Sequence, residues 1–417
     1  MLIKSIFMEL RARLRSCNVY ITTGVDFNKN CNLKISIQSN CIVINYYDDG
    51  KLKRRDSLSS IESLSDCYSE DESDVTSVIP VEEFCHIIPN SMSCLKIEKN
   101  TISFRILTES KNGGNFYNEL LKSNTNVNHN KNDNEFKVNI KVDDDLKIVC
   151  SNCLNVISKD FIKFERILEL PTANLDMSEW FCHGHGHGHG HETKFEPTLK
   201  SNKNDFLYRL TYFMVNNTVL SEKTNKFNAK REIYHCNRCL AWLGLKDKTD
   251  VKLFNSEVKV TQDNIEKSAL THKNILNDIQ TDDFIFTIEK LIQEFNLGLQ
   301  YTVMCKIILE CLVATNKKQY LLIWVMDKEL QVLKNSGEHI GSDNIRLQSS
   351  FVTKILFKIE FSLNDEVESW IADPAVVSTD VSKGMFCRGV EHLQNMSLKV
   401  PEMFRNTNGF CVSYLKV

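Results

Sequence analysis

Two cysteine pairs carry the most chemistry in this sequence: Cys150-Ser-Asn-Cys153 and Cys236-Asn-Arg-Cys239. A C-x-x-C places two thiols on one tight turn, and two such turns supply the four sulfur ligands of a tetrahedral structural zinc site. The pairs lie much farther apart than in a simple zinc ribbon, so a shared ion would pin remote points of the chain and set residues 154–235 out as an insertion. Two competing readings are a redox pair and separate structural thiols. A redox pair of the thioredoxin kind sits where a strand runs into a helix N-terminus. Cys150 instead closes a strand-like run and is followed by Leu154-Asn155-Val156-Ile157, as in a knuckle strand. Zinc held by four thiolates keeps no open position for water, so its role would be architectural.

Between the pairs runs SEWFCHGHGHGHGHE, Ser178 to Glu192. Imidazoles bind zinc, copper or nickel. The glycines separating His185, His187, His189 and His191 leave the backbone unfixed, and ordering it around an ion costs entropy, so these four read as adventitious binders. Trp180, Cys182 and His183 stand apart from them. Either Cys182 and His183 complete an internal zinc site, or they reach outward.

The elements that must position these groups are mostly strands at first. Val19–Thr22, Leu33–Ile37 and Ile42–Ile44 alternate in the β manner, and strand-like pattern returns at Leu95–Leu107 and Phe136–Val149. Phe206–Leu220 reads as a buried strand pair, and 246–264 as a polar connection. Asp282–Phe295 has an acidic start and helical spacing. Tyr301–Val313 and Tyr320–Val332 read as a hairpin, Phe351–Phe361 as a strand, Lys383–Asn395 as an amphipathic helix, and Phe410–Leu415 as a last strand. The expected fold is α+β: a β-rich N-terminal domain at 1–149, a zinc-knuckle pair with its inserted segment at 150–245, and an α+β region at 265–417. Residues 51–75 are a basic knot and a serine-rich acidic run with too little apolar content to pack; serines beside Glu70, Asp71, Glu72 and Asp74 suit an acidophilic kinase.

Over 417 residues the net charge is −3, so no strong field draws nucleic acid or an anionic membrane, and a protein partner is expected. The N-terminus does not read as a signal peptide, and no apolar run is long enough for a membrane span. Fifteen cysteines then read as reduced thiols, which places the chain in the cytosol or nucleus.

In order, the sequence presents CSNC, then FERILELPTANLDMSEWFCH, then CNRCLAWLG, and near its end Val400-Pro401, Arg405 and Phe410-Cys411-Val412-Ser413-Tyr414-Leu415. This resembles the HECT-like ubiquitin ligase family that binds ubiquitin-conjugating enzymes, over roughly residues 140–417 and loosely over the β-rich N-terminal part. The resemblance implies that ubiquitin is accepted from a conjugating enzyme and transferred to a protein substrate. A true HECT scheme needs a cysteine nucleophile; Cys387 in SKGMFCRGVEH lies about where such enzymes keep it, with Cys411 the other late candidate and a core cysteine the plainer reading. A scaffold that forms no thioester explains the same sequence.

The resemblance further implies binding and blocking of a zinc-dependent endonuclease of messenger-RNA 3′-end processing. The family's tip reads Trp-Cys-Cys-His, and here Phe181 stands for the first thiol. Cys182 would then offer a ligand to the partner's metal beside His183, with Leu170-Pro171 fixing the approach and Trp180 anchoring it.

Overall fold

The computed structural model describes residues 3–24, 26–27, 31–48, 75–111, 136–170, 202–247, 249–263, 265–272, 282–296, 304–335 and 345–415. The acidic run before Val75, the segment 112–135 and the stretch 171–201 lie outside them. With the last go Pro171, Trp180, Cys182, His183 and the alternating histidines.

The period-2 alternation at the N-terminus becomes the antiparallel pair Ile3–Arg11 and Ser16–Thr23, with Phe7 opposite Tyr20. Its other edge is taken by the far end of the long strand Lys317–Asn335, whose Leu333 faces Met8. That strand also pairs with Lys306–Ala314 and Leu347–Glu360, the latter with Phe410–Tyr414. One large sheet therefore runs through both halves of the sequence. It is mixed, because Lys306–Ala314 also pairs in parallel with Val376–Asp380. The fold is α+β and dominated by strands.

Helix Asp282–Phe295 forms as its spacing requires, burying Phe284, Ile288, Leu291 and Ile292 on one face. Helix Lys383–Ser397 shares that core through Met385, Phe386 and Leu393. A Cβ on Gly389 would stand 2.4 Å from ring carbons of Phe284, so only glycine admits the ring at this crossing. The hairpin expected between 301 and 332 forms over the described residues, beginning at Lys306 and with a tighter turn: the strands run to Ala314 and from Lys317, and Asn316 takes left-handed backbone at φ 56°.

A separate apolar core runs from Ile140 to Leu270. Its six-stranded sheet orders Arg166–Glu169, Asp205–Tyr208, Tyr212–Asn216, Asp250–Phe254, Trp242–Asp247 and Ile233–His235. The strand pair expected at 206–220 is its Asp205–Tyr208 and Tyr212–Asn216, stacked through Phe206 and Phe213 at 4.7 Å. The polar connection expected at 246–264 is corrected. Val251, Leu253, Val258 and Val260 alternate with polar residues and are buried, making the strands Asp250–Phe254 and Val258–Gln262. The lysines and acids between them had masked a half-buried β pattern.

Candidate functional site

The two cysteine pairs meet. Cys150 ends the strand Lys147–Cys150, which pairs with Val258–Gln262, and Cys236 follows the edge strand Ile233–His235. All four Sγ atoms lie within 4.8 Å of one another. Cys150 and Cys239 are 3.7 Å apart and Cys153 and Cys236 3.6 Å. A tetrahedral ion with sulfur at about 2.3 Å has an edge of about 3.8 Å between ligands, so the sulfurs already stand at the spacing such an ion needs. A disulfide would bring a pair to about 2.05 Å.

The knuckles are near copies. In each, the N–H of the residue after the second cysteine returns to the first cysteine's carbonyl, Leu154 to Cys150 at 2.9 Å and Leu240 to Cys236 at 3.0 Å. The first cysteine's N–H bonds the carbonyl five residues on, Asn155 and Ala241, both at 2.9 Å. Closing this turn puts Leu154 and Leu240 in left-handed backbone, φ 57° and 62°. For a residue with a Cβ this costs about 1–2 kcal/mol each. After Cys153 the chain enters a β-bridge from Val156 to Val149 and not a helix, which removes the thioredoxin-type arrangement.

Polar neighbours finish the site. Asn155 Nδ2 donates to Asn237 Oδ1 at 2.8 Å and lies 3.8 Å from Cys236 Sγ, and Arg238 reaches the Cys153 carbonyl at 3.4 Å, so each knuckle holds the other. Desolvation pushes the Cys150 thiol up to about 12 and also raises Cys153. It opposes ionisation of Cys239 as well, but there the Asn152 side chain, the Ala241 N–H and the neighbouring thiols outweigh it and bring the group to about 6. Four thiols clustered this closely become four thiolates only with a cation among them. His235, next to Cys236, turns Nδ1 to the Ile233 carbonyl at 3.0 Å and burial lowers its pKa, so it is a neutral bystander. The group could hold one tetrahedral ion with no coordination position left over.

The motif glycine after the second pair has a packing reason. A Cβ on Gly244 would stand 2.0 Å from the Lys252 carbonyl oxygen, where two sheet strands cross closely.

The described part of the interval between the knuckles is folded and supplies most of the six-stranded sheet. Arg166–Glu169 is that sheet's edge, parallel to Asp205–Tyr208, with Arg166 gripping Asp205 at 2.8 and 2.6 Å. Leu170 is still pinned, its N–H on the Tyr208 carbonyl at 2.8 Å, immediately before Pro171. The chain thus leaves one end of the edge strand and returns beside the other.

Residues 9–412 match the model of the family described as HECT-like ubiquitin-conjugating enzyme (E2)-binding. The chain belongs to that family. No curated protein and no solved structure matches it.

In this HECT-like chain Cys387 stands about one turn into helix Lys383–Ser397, which forms where the amphipathic pattern places it, and the thiol is exposed, which corrects the core-cysteine reading. Cys411 is half-buried and donates to Asn406 Oδ1 at 3.3 Å. Cys305 and Cys311 are buried, and desolvation pushes both up to about 12, so neither is a nucleophile at neutral pH.

Sequence reasoning did not reach the tie between the Cys387 helix and the four-cysteine knuckles. Ser151, inside the first knuckle, donates its N–H to the Glu257 carbonyl at 3.1 Å. Glu257 Oε1 accepts from Ser382 Oγ at 2.7 Å, and Ser382 caps the helix by accepting from the Met385 N–H at 3.0 Å. Lys252 adds an ion pair to Asp380 at 2.5 Å. A serine two residues past a strand was a readable helix cap, but its partner's identity was not.

Proposed function

We propose that this HECT-like protein is a ubiquitin-protein ligase that takes ubiquitin from a conjugating enzyme and passes it to protein substrates. The observation that carries this reading is the family match over nearly the whole chain. Zinc is the ion the four cysteines suit: a closed set of four thiolates selects a soft cation with tetrahedral preference, and a redox-inert one serves a purely structural role. It supplies architecture and no reactive water.

The nucleophile in this reading is Cys387, whose thiol is exposed where Cys305 and Cys311 are closed to any partner. Its thiolate attacks the carbonyl of the enzyme-linked ubiquitin thioester. A new thioester forms on Cys387 and the conjugating enzyme's thiolate leaves. A substrate lysine amine then attacks that carbonyl, giving the amide and returning the Cys387 thiolate. Incubation with activating enzyme, charged conjugating enzyme and tagged ubiquitin gives a reductant-sensitive adduct on the wild-type chain. Cys387→Ala lowers it by about 10³-fold or more, as loss of a nucleophile does. Identical behaviour of the two proteins removes the covalent step and leaves a scaffold that holds the charged enzyme against its target.

A second reading coexists with the first because it uses a different part of the chain. Leu170, its N–H held by the Tyr208 carbonyl at the edge of the six-stranded sheet, anchors the chain immediately before Pro171. That suits a tip carrying Trp180, Cys182 and His183 that offers the Cys182 thiolate to the catalytic zinc of a messenger-RNA 3′-end-processing endonuclease, displacing its water. In a cleavage assay with that endonuclease, Cys182→Ala weakens inhibition by about 10-fold or more, the scale of one lost metal contact. Unchanged inhibition eliminates this contact.

A further inference from the structure

The two residues that close the knuckles repeat one costly choice. Leu154 and Leu240 hold left-handed backbone, where glycine is at ease, and both side chains stand out in water, 48% and 60% exposed. Neither gains burial from the fold in exchange. Strained backbone and exposed apolar bulk coincide where a surface is kept for contact with another molecule, and here they coincide at both equivalent positions. Val156, two residues past Leu154, is exposed as well.

The leucines lie close enough for one partner to cover both. Their neighbouring cysteines have sulfurs within 4.8 Å, so standard chain dimensions keep the leucine Cα atoms within about 18 Å. That fits inside one partner's share of a standard interface, about 800 Å². The Asn155–Asn237 and Arg238–Cys153 hydrogen bonds lock the tips together before any partner arrives, which lowers the ordering cost of binding.

We propose that Leu154 and Leu240 are the paired apolar contacts on which a ubiquitin-conjugating enzyme seats. The occupant follows from the family match, whose description specifies that partner and whose span of residues 9–412 contains both knuckles. The inference deepens the ligase reading and rests on its partner. Through Ser151, Glu257 and Ser382 the same platform grips the helix of Cys387, so an enzyme seated on the knuckles docks on the body that carries the acceptor thiol.

The test uses the full-length zinc-loaded protein, a panel of purified ubiquitin-conjugating enzymes and direct titration. In Leu154→Gly/Leu240→Gly the backbone relaxes while both side chains vanish. Zinc content and Tm therefore hold or rise, yet affinity for whichever enzyme binds wild type falls by about 10-fold or more, as for buried anchor residues. A purely structural role for the leucines would move stability and leave affinity alone. Leu154→Met/Leu240→Met keeps apolar bulk and retains binding. Wild-type affinity in a folded, zinc-loaded glycine variant overturns the docking site and leaves the ligase reading standing. A wild-type protein that binds no enzyme of the panel overturns the partner reading itself.

Discussion

Cys236→Ser, and separately Cys150→Ser, is expected to purify without zinc, where the wild-type chain is expected to carry one ion. Both cysteines are fully buried in the core that runs from Ile140 to Leu270, so an ion held there would join two strands and not decorate a loop. Binding at a structural zinc site is worth about 10–16 kcal/mol, comparable with the whole stability of a domain. The serine also leaves a hydroxyl in apolar surroundings. Losing even about 4 kcal/mol lowers Tm by roughly 8–16 °C in a unit of this size. Cys85→Ser supplies the comparison, a buried cysteine of the N-terminal core outside the cluster. It costs stability and leaves zinc content at one. Metal analysis beside thermal melts separates the cases, and unaltered zinc in Cys150→Ser would refute a site shared by the two pairs.

How far this centre was legible follows from what a sequence displays. Each C-x-x-C is local, and its ligand chemistry reads directly from spacing. That Cys153 meets Cys236 across 83 positions followed from coordination number, because two sulfurs do not complete a tetrahedral site. The closing position of each knuckle stayed hidden, since Leu154 and Leu240 occupy a conformation that a glycine would have announced. In 246–264 the alternation was present, and frequent lysine and acid obscured it. Asp282–Phe295 came through with its boundaries because an apolar stripe repeating at helical spacing along fourteen residues leaves little choice. The splicing of the first strand into the C-terminal sheet had no local signal at all, because strand partners are chosen by packing and not by propensity.

That splice brings the second large effect. Glu9 is 1% exposed inside the large sheet, where Lys354 Nζ lies 2.7 Å from Oε1, Tyr414 donates to the same oxygen at 2.5 Å, and Asn18 donates to Oε2 at 3.1 Å. Burial alone would raise its pKa. The Lys354 charge and the three hydrogen bonds outweigh it and hold the carboxyl below its ordinary 4.5. A carboxylate lowered by folding gives stability that is present above the unfolded value of 4.5 and lost as pH falls through the folded one. Lys354→Met deletes the cation and strands the charge, at a cost of about 3–5 kcal/mol near neutral pH. The sign of the pH dependence should then reverse. With desolvation unopposed by Lys354, the folded pKa rises above 4.5, and the variant loses stability as pH increases through that window where wild type gains it. Glu9→Gln in the Lys354→Met background removes the stranded charge, keeps an acceptor oxygen for Tyr414 and offers an N–H to Asn18 once that amide turns its Oδ1 inward, so most of the loss returns. Denaturant melts between about pH 4 and pH 7, spanning the ordinary carboxylate range, read the slopes directly. Parallel slopes in wild type and Lys354→Met would show that this pair does not govern the acid sensitivity of the fold.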